Sequence, residues 1–360
     1  MSNPARKSWT MLFAFALLSA CKNTPADSVP HSPTSIDAAQ PLAQLFTRSH
    51  PCMGTRCDVQ IFHTDTQLAN TAFLRAFEAL DRVDVLMSTW LENSDVSRIN
   101  QSAGLEPVVI HPETFAVIQK APWLGDVSEG AFDLTVGVFR GLWKFDEDND
   151  GSLPSRAMVK ERLKLVNYRD IILDETKTSV FLKRKGMKLT LGGTAKGYAV
   201  DAAVKAIRDT GIQDFIVQAG GDLFASGTRG DRKWRVGIRD PRGSRESVIY
   251  KLELSNGAFN TSGDYERFVL RDNRRYHHIL DARTGFPSMS TRSVTVLADT
   301  SFDADMWDTM LFVMGPEKAM ALVEKTDSIE AVIIDADNHV HISSGLRDRL
   351  TKVRDPSPGI

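Results

Sequence analysis

Apolar residues along the chain follow two different spacings, which together predict a mixture of helices and strands. Residues 56–62 alternate between apolar and polar like a strand, whereas residues 66–90 place apolar side chains every three or four positions like a helix. The same patterns predict further helices over residues 194–210, 302–314 and onward to 325, and further strands over 187–191, 215–219, 234–238, 248–254 and 291–297. Because strands and helices do not alternate regularly, the pattern favours an α+β fold with an antiparallel component.

The first 43 residues have the pattern of an export signal followed by a tether. Arg6 and Lys7 precede an apolar run over residues 9–18 that is too short to span a membrane comfortably. The sequence Leu18-Ser19-Ala20-Cys21 resembles a bacterial lipobox. That resemblance implies removal of residues 1–20, acylation of Cys21 and a lipid-anchored protein on the periplasmic side of a bacterial membrane. The alternative is an ordinary signal peptide in which Cys21 is incidental, and residues 21–43 have the composition of a flexible tether in either case.

Composition and charge limit the classes of function. The 360 residues are 42% hydrophobic, enough for one large domain or two closely packed ones, expected over residues 44–346 with a loose tail over 347–360. A net charge of −2 gives no concentrated basic face, so we expect no nucleic-acid partner. Cys52 and Cys57 have the pattern of strand residues. Their odd separation would point them to opposite faces of one extended segment, so no disulfide between them is expected.

Two glycine-rich turns are candidate phosphate-binding elements. Gly192-Gly193-Thr194-Ala195-Lys196-Gly197 joins a predicted strand to a predicted helix, where backbone N–H groups and the Lys196 ammonium would favour an anion. Gly220-Gly221-Asp222 follows another predicted strand and permits close approach of a ligand. Each segment has the simpler interpretation of a tight turn, and neither has the spacing of a Walker A loop.

Candidate catalytic and metal-binding side chains lie closer to the C-terminus. Residues 260–265 and 276–281 combine small hydroxyl residues, acids and a pair of histidines. A histidine there could accept a proton near neutral pH, or it could be packed between strands with its ring satisfied. Asp305 and Thr309 are four residues apart on a predicted helix, so one face offers two hard oxygens that suit Mg²⁺, with Asp308 beside them. The alternative is a solvated acidic helix face.

Taken in chain order, these motifs resemble the ApbE family of FAD:protein FMN transferases over about residues 52–315. The chain departs from the family pattern by having Trp90 for tyrosine, Asp95 for glutamate, Thr190 where aspartate is common, and an additional acid at Asp308. These departures bear on substrate preference and metal strength rather than on the resemblance itself. The matching motifs are Met53-Gly54-Thr55, Met87-Ser88-Thr89-Trp90, residues 94–100, residues 130–137, residues 192–201, Gly220-Gly221-Asp222, residues 261–265, residues 278–281, and Ala304-Asp305 with Thr309.

The resemblance implies a fold and a set of ligands. The fold would be α+β, with mixed or antiparallel sheets packed against helices and an FAD cleft between two intimately associated subdomains. Mg²⁺ would be held by Asp305, Thr309 and a backbone carbonyl near Gly193. His278 would be the base, with Asp264 or Asp281 orienting it. The residues implied to bind FAD are Met53, Trp90, Asp133, Lys196, Gly220, Gly221, Asp222, Thr261, Ser262 and Asp281.

The implied reaction transfers FMN from FAD to a threonine or serine hydroxyl of another protein and releases AMP. The acceptor would carry the motif Asp-Gly-x-Thr/Ser-Gly-Ala-Thr/Ser, in subunits of sodium-pumping NADH:quinone or related redox complexes. Residues 281–285 match that motif only in part, so self-flavinylation is not expected. Two alternatives stay open: an FAD pyrophosphatase that uses water at the same site, and a non-catalytic FAD-binding lipoprotein. The presence of Asp305, Thr309 and His278 disfavours the second, because binding alone requires none of them.

Overall fold

The structure is a computed structural model that describes residues 42–145 and 148–360. The predicted signal segment, Cys21 and all but the last two residues of the predicted tether lie outside the described residues. No helix within these ranges is long and apolar enough to cross a bilayer. The helices are α1 Thr66–Met87, α2 Asp95–Gln101, α3 Pro112–Ile118, α4 Ala121–Val127, α5 Arg156–Leu163, α6 Ala195–Arg208, α7 Ser301–Met314 and α8 Pro316–Val323. The strands are β1 Gln44–Cys52, β2 Thr55–His63, β3 Val108–Val109, β4 Ile171–Asp174, β5 Ser179–Leu182, β6 Phe215–Ala219, β7 Asp222–Ser226, β8 Trp234–Arg239, β9 Val248–Leu254, β10 Gly257–Gly263, β11 Phe268–Arg271, β12 Arg274–His277, β13 Leu280–Asp281, β14 Phe286–Pro287, β15 Thr291–Ala298, β16 Ile329–Asp335, β17 Val340–Ile342 and β18 Thr351–Lys352.

An eight-stranded sheet in the order β1-β2-β6-β7-β10-β15-β16-β17 forms the centre of the described chain, and every neighbouring pair in it is antiparallel. One face packs against α1, α6 and α7, and the other against the three-stranded sheet β18-β9-β8. In β6, Val217 faces the helices and Ile216 faces the small sheet, because successive side chains of a strand alternate. Burial on both faces explains why this strand is apolar almost throughout.

Most of the predicted elements are confirmed, but the strand predicted over residues 187–191 is wrong. The bounds of β6 and β9 are those predicted, and α6 and α7 begin within one residue of the predicted positions. At Leu189 the backbone N–H donates to Asn100 Oδ1 (2.6 Å), and the carbonyl accepts from Asn100 Nδ2 (3.0 Å). The Asn100 amide therefore satisfies the backbone of Leu189, and the segment makes only an isolated bridge between Lys188 and Val136 instead of a ladder.

Cys52 and Cys57 are strand residues, as predicted, but they form a disulfide, so that part of the prediction is wrong. The chain reverses between them into the β1–β2 hairpin. In its register Cys52 pairs with Thr55 and Cys57 pairs with His50, which brings the two cysteine Cα atoms to 6.2 Å. The alternation argument holds along one strand and does not apply across two.

The prediction of a loose tail over residues 347–360 is also wrong. Strand β18 pairs with β9, and the Ser357 hydroxyl donates to Asp240 Oδ2 (2.7 Å). The Arg275 guanidinium donates to the Ile360 carbonyl (2.9 Å). Proline and serine made this segment resemble a free end, but its backbone and hydroxyls find partners on the small sheet and its flanking loops.

Candidate active site

A close contact between the start of α6 and the first turns of α7 builds the candidate site. A Cβ atom on Gly197 would lie 2.2 Å from the Ser301 carbonyl oxygen and 2.6 Å from Asp305 Cβ, so only glycine fits. The Gly197 N–H donates to Asp305 Oδ2 at 2.7 Å. Thr194, the residue before α6, makes no side-chain cap. Asp305 therefore satisfies an N-terminal donor of α6 from a different helix, and its charge complements the helix dipole.

Three carboxylates and one ammonium meet at this contact, and we call them, with the adjoining hydroxyls of Ser262 and Thr309, the acidic pocket. Asp222 at the start of β7 and Asp305 and Asp308 on α7 each offer an oxygen within 4.8 Å of the others, and all three residues are buried. Lys196 forms a short ion pair with Asp222, and its Nζ lies 3.8 Å from Asp305 Oδ1. When all four groups are ionised, three acids and one lysine give the acidic pocket a net charge of −2.

Two hydroxyl groups complete the acidic pocket. Ser262 on β10 donates to Asp308 Oδ1 (3.0 Å), and its Oγ lies 3.0 Å from the Thr309 hydroxyl oxygen. A Cβ atom on Gly193 would lie 3.1 Å from Thr309 Cγ2, so the glycine turn before α6 borders the same place. The structure thus brings together the three residues predicted to hold Mg²⁺, Gly193, Asp305 and Thr309.

Burial and mutual repulsion shape the charge of the acidic pocket. Burial, and then the Asp305 charge, raise the pKa of Asp222 to about 7, with Lys196 acting in the opposite sense. The same two causes raise the pKa of Asp308 well above its usual range. Burial alone would lower the pKa of Lys196, but the carboxylates of Asp222 and Asp305 outweigh it and raise that pKa. In the pocket without a cation each carboxylate therefore disfavours the ionised form of its neighbours, and a bound cation would favour the ionised forms.

Two oxygens of the acidic pocket have no hydrogen-bond partner among the described residues. They are Asp222 Oδ1 and Asp308 Oδ2, both buried. A buried acceptor without a donor costs about 1–3 kcal/mol, and more when it is charged. Carboxylate and hydroxyl oxygens are the ligands that Mg²⁺ takes from proteins, together with phosphate and water. The donor set and the unpartnered oxygens therefore fit a divalent cation.

The second glycine turn has a packing role that the sequence did not reveal. Gly220 has a φ of +60°, and a Cβ atom on Gly221 would lie 2.4 Å from the Thr261 carbonyl oxygen. The Thr261 N–H donates back to the Gly221 carbonyl at 3.0 Å, while the Thr261 hydroxyl lies 2.9 Å from that of Thr295. The turn thus lets β7 and β10 approach closely and presents Asp222 to the acidic pocket. Asp222 was predicted as an FAD contact, and the structure places it among the metal-type ligands.

Two predicted flavin contacts lie at the tip of the β1–β2 hairpin and in the segment after α1. Met53, at the tip of the β1–β2 hairpin, has a φ of +50°, and its N–H donates to Asp84 Oδ2 at 2.9 Å. The Trp90 side chain is 63% exposed, and the Arg140 guanidinium carbon lies 3.7 Å from the centre of one of its rings. An exposed aromatic face can stack on a planar ligand.

Asp133 uses its carboxylate inside the protein. One oxygen accepts from the Thr135 N–H and hydroxyl, both at 2.7 Å, and the other accepts from the Tyr168 N–H at 2.7 Å. Burial raises the pKa of Asp133 in spite of these three hydrogen bonds. The carboxylate therefore fixes the 133–135 turn against Tyr168, and its role as a flavin contact stays a prediction.

The two histidines of the pair have different surroundings. His277 has the packed, hydrogen-bonded ring of the second alternative, and His278 keeps a ring nitrogen that could accept a proton. His277 is buried, with Nε2 2.6 Å from the Ser288 carbonyl oxygen and its ring 5.4 Å from that of Phe312. His278 is half-buried, and its Nδ1 lies 3.3 Å from the Arg267 carbonyl oxygen. A carbonyl can only accept, so the proton sits on Nδ1 and the Nε2 lone pair is left to accept a proton. Burial, His277, Arg267 and the Lys196 charge lower the pKa of His278 to about 3, which keeps the ring neutral.

Asp264 and Asp281, the acids expected to orient His278, are each paired with an arginine, and the expected role stays a prediction. Arg242 donates to both oxygens of Asp264 at 2.7 Å, and each side chain of this pair is 7% exposed. Arg283 holds Asp281 in the same manner, with Nη2 to Oδ2 at 2.7 Å. Each acid neutralises an arginine, because a guanidinium offers two parallel donors that match a carboxylate.

The sequence of this chain is similar to known proteins over most of its length. A model of the ApbE family matches residues 53–333. A FAD:protein FMN transferase of Klebsiella pneumoniae is 32% identical over 309 residues, which cover 86% of this chain and 95% of the relative. A FAD:protein FMN transferase of Treponema pallidum is 32% identical over 321 residues, which cover 85% of this chain and 88% of the relative.

Solved structures agree with the sequence relatives. The crystal structure of the ApbE protein of Thermotoga maritima superposes with a TM-score of 0.77 at 32% identity and covers 85% of this chain and 99% of the other. The flavin transferase ApbE of Vibrio cholerae superposes with a TM-score of 0.76 at 29% identity, with the same two coverages. The α+β arrangement of antiparallel sheets and helices is thus the one seen in these structures.

Proposed function

Because the chain belongs to the ApbE family, we propose that it transfers FMN from FAD to a serine or threonine hydroxyl of another protein and releases AMP. The observation that carries the proposal is the acidic pocket beside the start of α6. Its buried carboxylates and hydroxyls offer hard oxygens to a divalent cation, and Lys196 adds a positive charge for phosphate. A protein that only stored FAD would gain nothing from that arrangement.

Residues around the acidic pocket would bind FAD at both ends of its pyrophosphate. The glycine turn at Gly193 and the positive end of the α6 dipole favour phosphate oxygens. Trp90 offers an aromatic face to the isoalloxazine ring, and the hairpin tip at Met53 closes one side. Asp305, Thr309, Asp222 and Asp308 would hold Mg²⁺. When bound, Mg²⁺ offsets the negative charge that develops on the pyrophosphate.

The transfer step balances without further reactants. The hydroxyl oxygen of the acceptor forms a bond to the phosphorus on the FMN side, and the bond from that phosphorus to the bridging oxygen breaks. AMP leaves with the bridging oxygen, and the hydroxyl proton passes to His278 Nε2. The contact of Nδ1 with the Arg267 carbonyl leaves Nε2 as the ring atom that can accept the proton, which supports this role.

The acceptor and the location extend the proposal. The acceptor carries the motif Asp-Gly-x-Thr/Ser-Gly-Ala-Thr/Ser in a membrane redox complex, such as a sodium-pumping NADH:quinone complex. Acylation of Cys21 would hold the enzyme at the periplasmic face of the membrane, where it meets that partner. The partial motif at residues 281–285 keeps Asp281 paired with Arg283, which argues against modification of the enzyme itself.

Mass spectrometry of an acceptor domain tests the proposal. The full chain in detergent is incubated with FAD, Mg²⁺ and a tagged domain that carries the motif. We expect the acceptor to gain the mass of one FMN, with one AMP released, and we expect chelation of Mg²⁺ to prevent both. Release of FMN and AMP with an unmodified acceptor would establish the pyrophosphatase instead. Intact FAD would leave a flavin-binding protein.

A further inference from the structure

Asp308 is one of the three buried acids of the acidic pocket, and its surroundings bear on when the cation binds. Its Oδ1 accepts hydrogen bonds from the hydroxyls of Ser262 (3.0 Å) and Thr309 (3.1 Å). Its Oδ2 is buried and has no partner among the described residues. Two neighbouring hydroxyls thus fix the carboxylate while one oxygen is left for a ligand.

Asp308 changes the net charge of the acidic pocket by one unit. When all four groups are ionised, the charges of Asp222, Asp305, Asp308 and Lys196 sum to −2. A divalent cation brings that sum to zero. Without Asp308 the sum would be −1, and the cation would leave a buried charge of +1 until an anionic ligand arrived. Uncompensated buried charge is strongly unfavourable, so the second arrangement favours joint binding of cation and pyrophosphate.

We propose that Asp308 lets the acidic pocket bind a divalent cation before FAD arrives. Asp308 Oδ2 and Asp222 Oδ1 supply the two oxygens that otherwise lack partners. FAD then enters an electrically neutral pocket, so the coupling between cation and pyrophosphate is weak in this chain. This inference rests on the proposed function for the identity of the second ligand, but cation binding alone can be measured without turnover.

Calorimetry with Mn²⁺ on the full chain in detergent tests the inference. We expect one Mn²⁺ to bind without nucleotide, and Asp308→Asn to weaken that binding by about 10- to 100-fold. ADP serves as a pyrophosphate probe that carries no flavin to transfer. Because coupling is reciprocal, ADP should increase Mn²⁺ affinity by a larger factor in Asp308→Asn than in the natural chain.

A matched variant and two further measurements serve as controls. Asp299→Asn removes an exposed carboxylate just before α7 and should bind Mn²⁺ like the natural chain. Thermal melting verifies that Asp308→Asn is folded, and electron paramagnetic resonance of Mn²⁺ gives an independent count of bound ions. Unchanged Mn²⁺ affinity in Asp308→Asn would overturn the inference, as would a natural chain that binds Mn²⁺ only with ADP.

The two proposals fail in different ways. Transfer of FMN by a chain that binds Mn²⁺ only with ADP would leave the proposed function intact and remove the role of Asp308. Binding of Mn²⁺ without nucleotide by a chain that transfers no FMN would leave the role of Asp308 intact and remove the proposed function.

Discussion

The chain buries carboxylates in two neighbouring places, and they differ in whether the carboxylate oxygens have hydrogen-bond donors. Asp264, just after β10, is matched by the Arg242 guanidinium through two hydrogen bonds of 2.7 Å. The acidic pocket, reached by the same strand through Ser262, holds three carboxylates against one lysine, and two of its oxygens lack partners. In the first place both carboxylate oxygens already have donors, although Arg242 Nε lacks an acceptor among the described residues. In the second place a bound cation would supply the partners that the two oxygens lack.

A buried acid with donors and a buried acid without them affect the protein differently: the first contributes to stability, and the second can bind a ligand. A buried ion pair whose carboxylate oxygens both have donors offsets much of its desolvation cost, and removing one partner leaves the other buried and unpaired. Unmatched buried carboxylates lower the stability of the free protein, and a ligand that neutralises them returns that free energy as affinity. An acid can therefore be assigned to structure or to binding by asking which of its oxygens already have donors.

Replacement of Asp305 should break the acidic pocket most completely. Asp305→Ala removes a carboxylate and the tertiary cap of α6, and we expect transfer to fall by at least about 10³-fold, because a bound metal contributes several kcal/mol to such reactions. Acceptor labelling by mass spectrometry measures the loss, and flavin fluorescence tests for retained FAD binding. Turnover near that of the natural chain would move the cation away from α7.

The two kinds of buried acid should respond oppositely in stability. Arg242→Met strands Asp264, so we expect the free energy of unfolding to fall by about 3–5 kcal/mol. Asp308→Asn removes a buried acid whose Oδ2 has no donor among the described residues, so in the absence of metal it should leave the free energy of unfolding unchanged or raise it. Urea unfolding of both variants with a chelator present makes the measurement. Similar large losses in both would show that the distinction between matched and unmatched acids does not hold here.

His278 should affect catalysis without affecting the cation. His278→Ala removes the proton acceptor, and we expect transfer to slow by about 10²- to 10⁴-fold with unchanged Mn²⁺ affinity. Because the pKa of His278 is about 3, the ring stays neutral from pH 8 to pH 5, and its protonation should not reduce the rate in that range.

An unfolded histidine takes up a proton below about pH 6.5, so the stability that neutral His278 contributes is lost as the pH falls from there towards 3. Stability that falls equally with acid in His278→Ala would contradict this assignment.

The disulfide should have the smallest of these effects. Replacing both Cys52 and Cys57 by serine opens a hairpin loop of few residues, so we expect a loss of about 2 kcal/mol in unfolding free energy. The nearby Met53 turn keeps its hydrogen bond to Asp84, so FAD binding should weaken far less than stability. Parallel urea unfolding and flavin titration measure the two effects. A large loss of FAD affinity with unchanged stability would instead make the disulfide part of the binding site.

The sequence predicted the elements well where burial follows one period. The helix α7 carries Asp305 and Thr309 on one face because their spacing of four needs nothing beyond the helix itself. The predictions failed where a side chain or a chain reversal decided the outcome, as with Asn100 bonding Leu189 and the hairpin bringing Cys52 to Cys57.

The candidate site was predictable residue by residue but not as a group. Asp222 lies 83 positions before Asp305, and only the order of strands β7 and β10 beside α7 brings them together. The partners of Asp264 were likewise invisible, because Arg242 belongs to a loop with no motif. For Asp308 there was one signal, an acid directly before Thr309 on a buried helix face.

Crystals grown with Mn²⁺ and without nucleotide would locate the cation directly through its anomalous scattering. We predict a single strong peak in the acidic pocket, within coordination distance of Asp305 and of Asp222 or Asp308, with Lys196 displaced from its ion pair. A map with Lys196 still bridging Asp222 and Asp305 and no peak between the three carboxylates would contradict the assignment of the unmatched acids to cation binding.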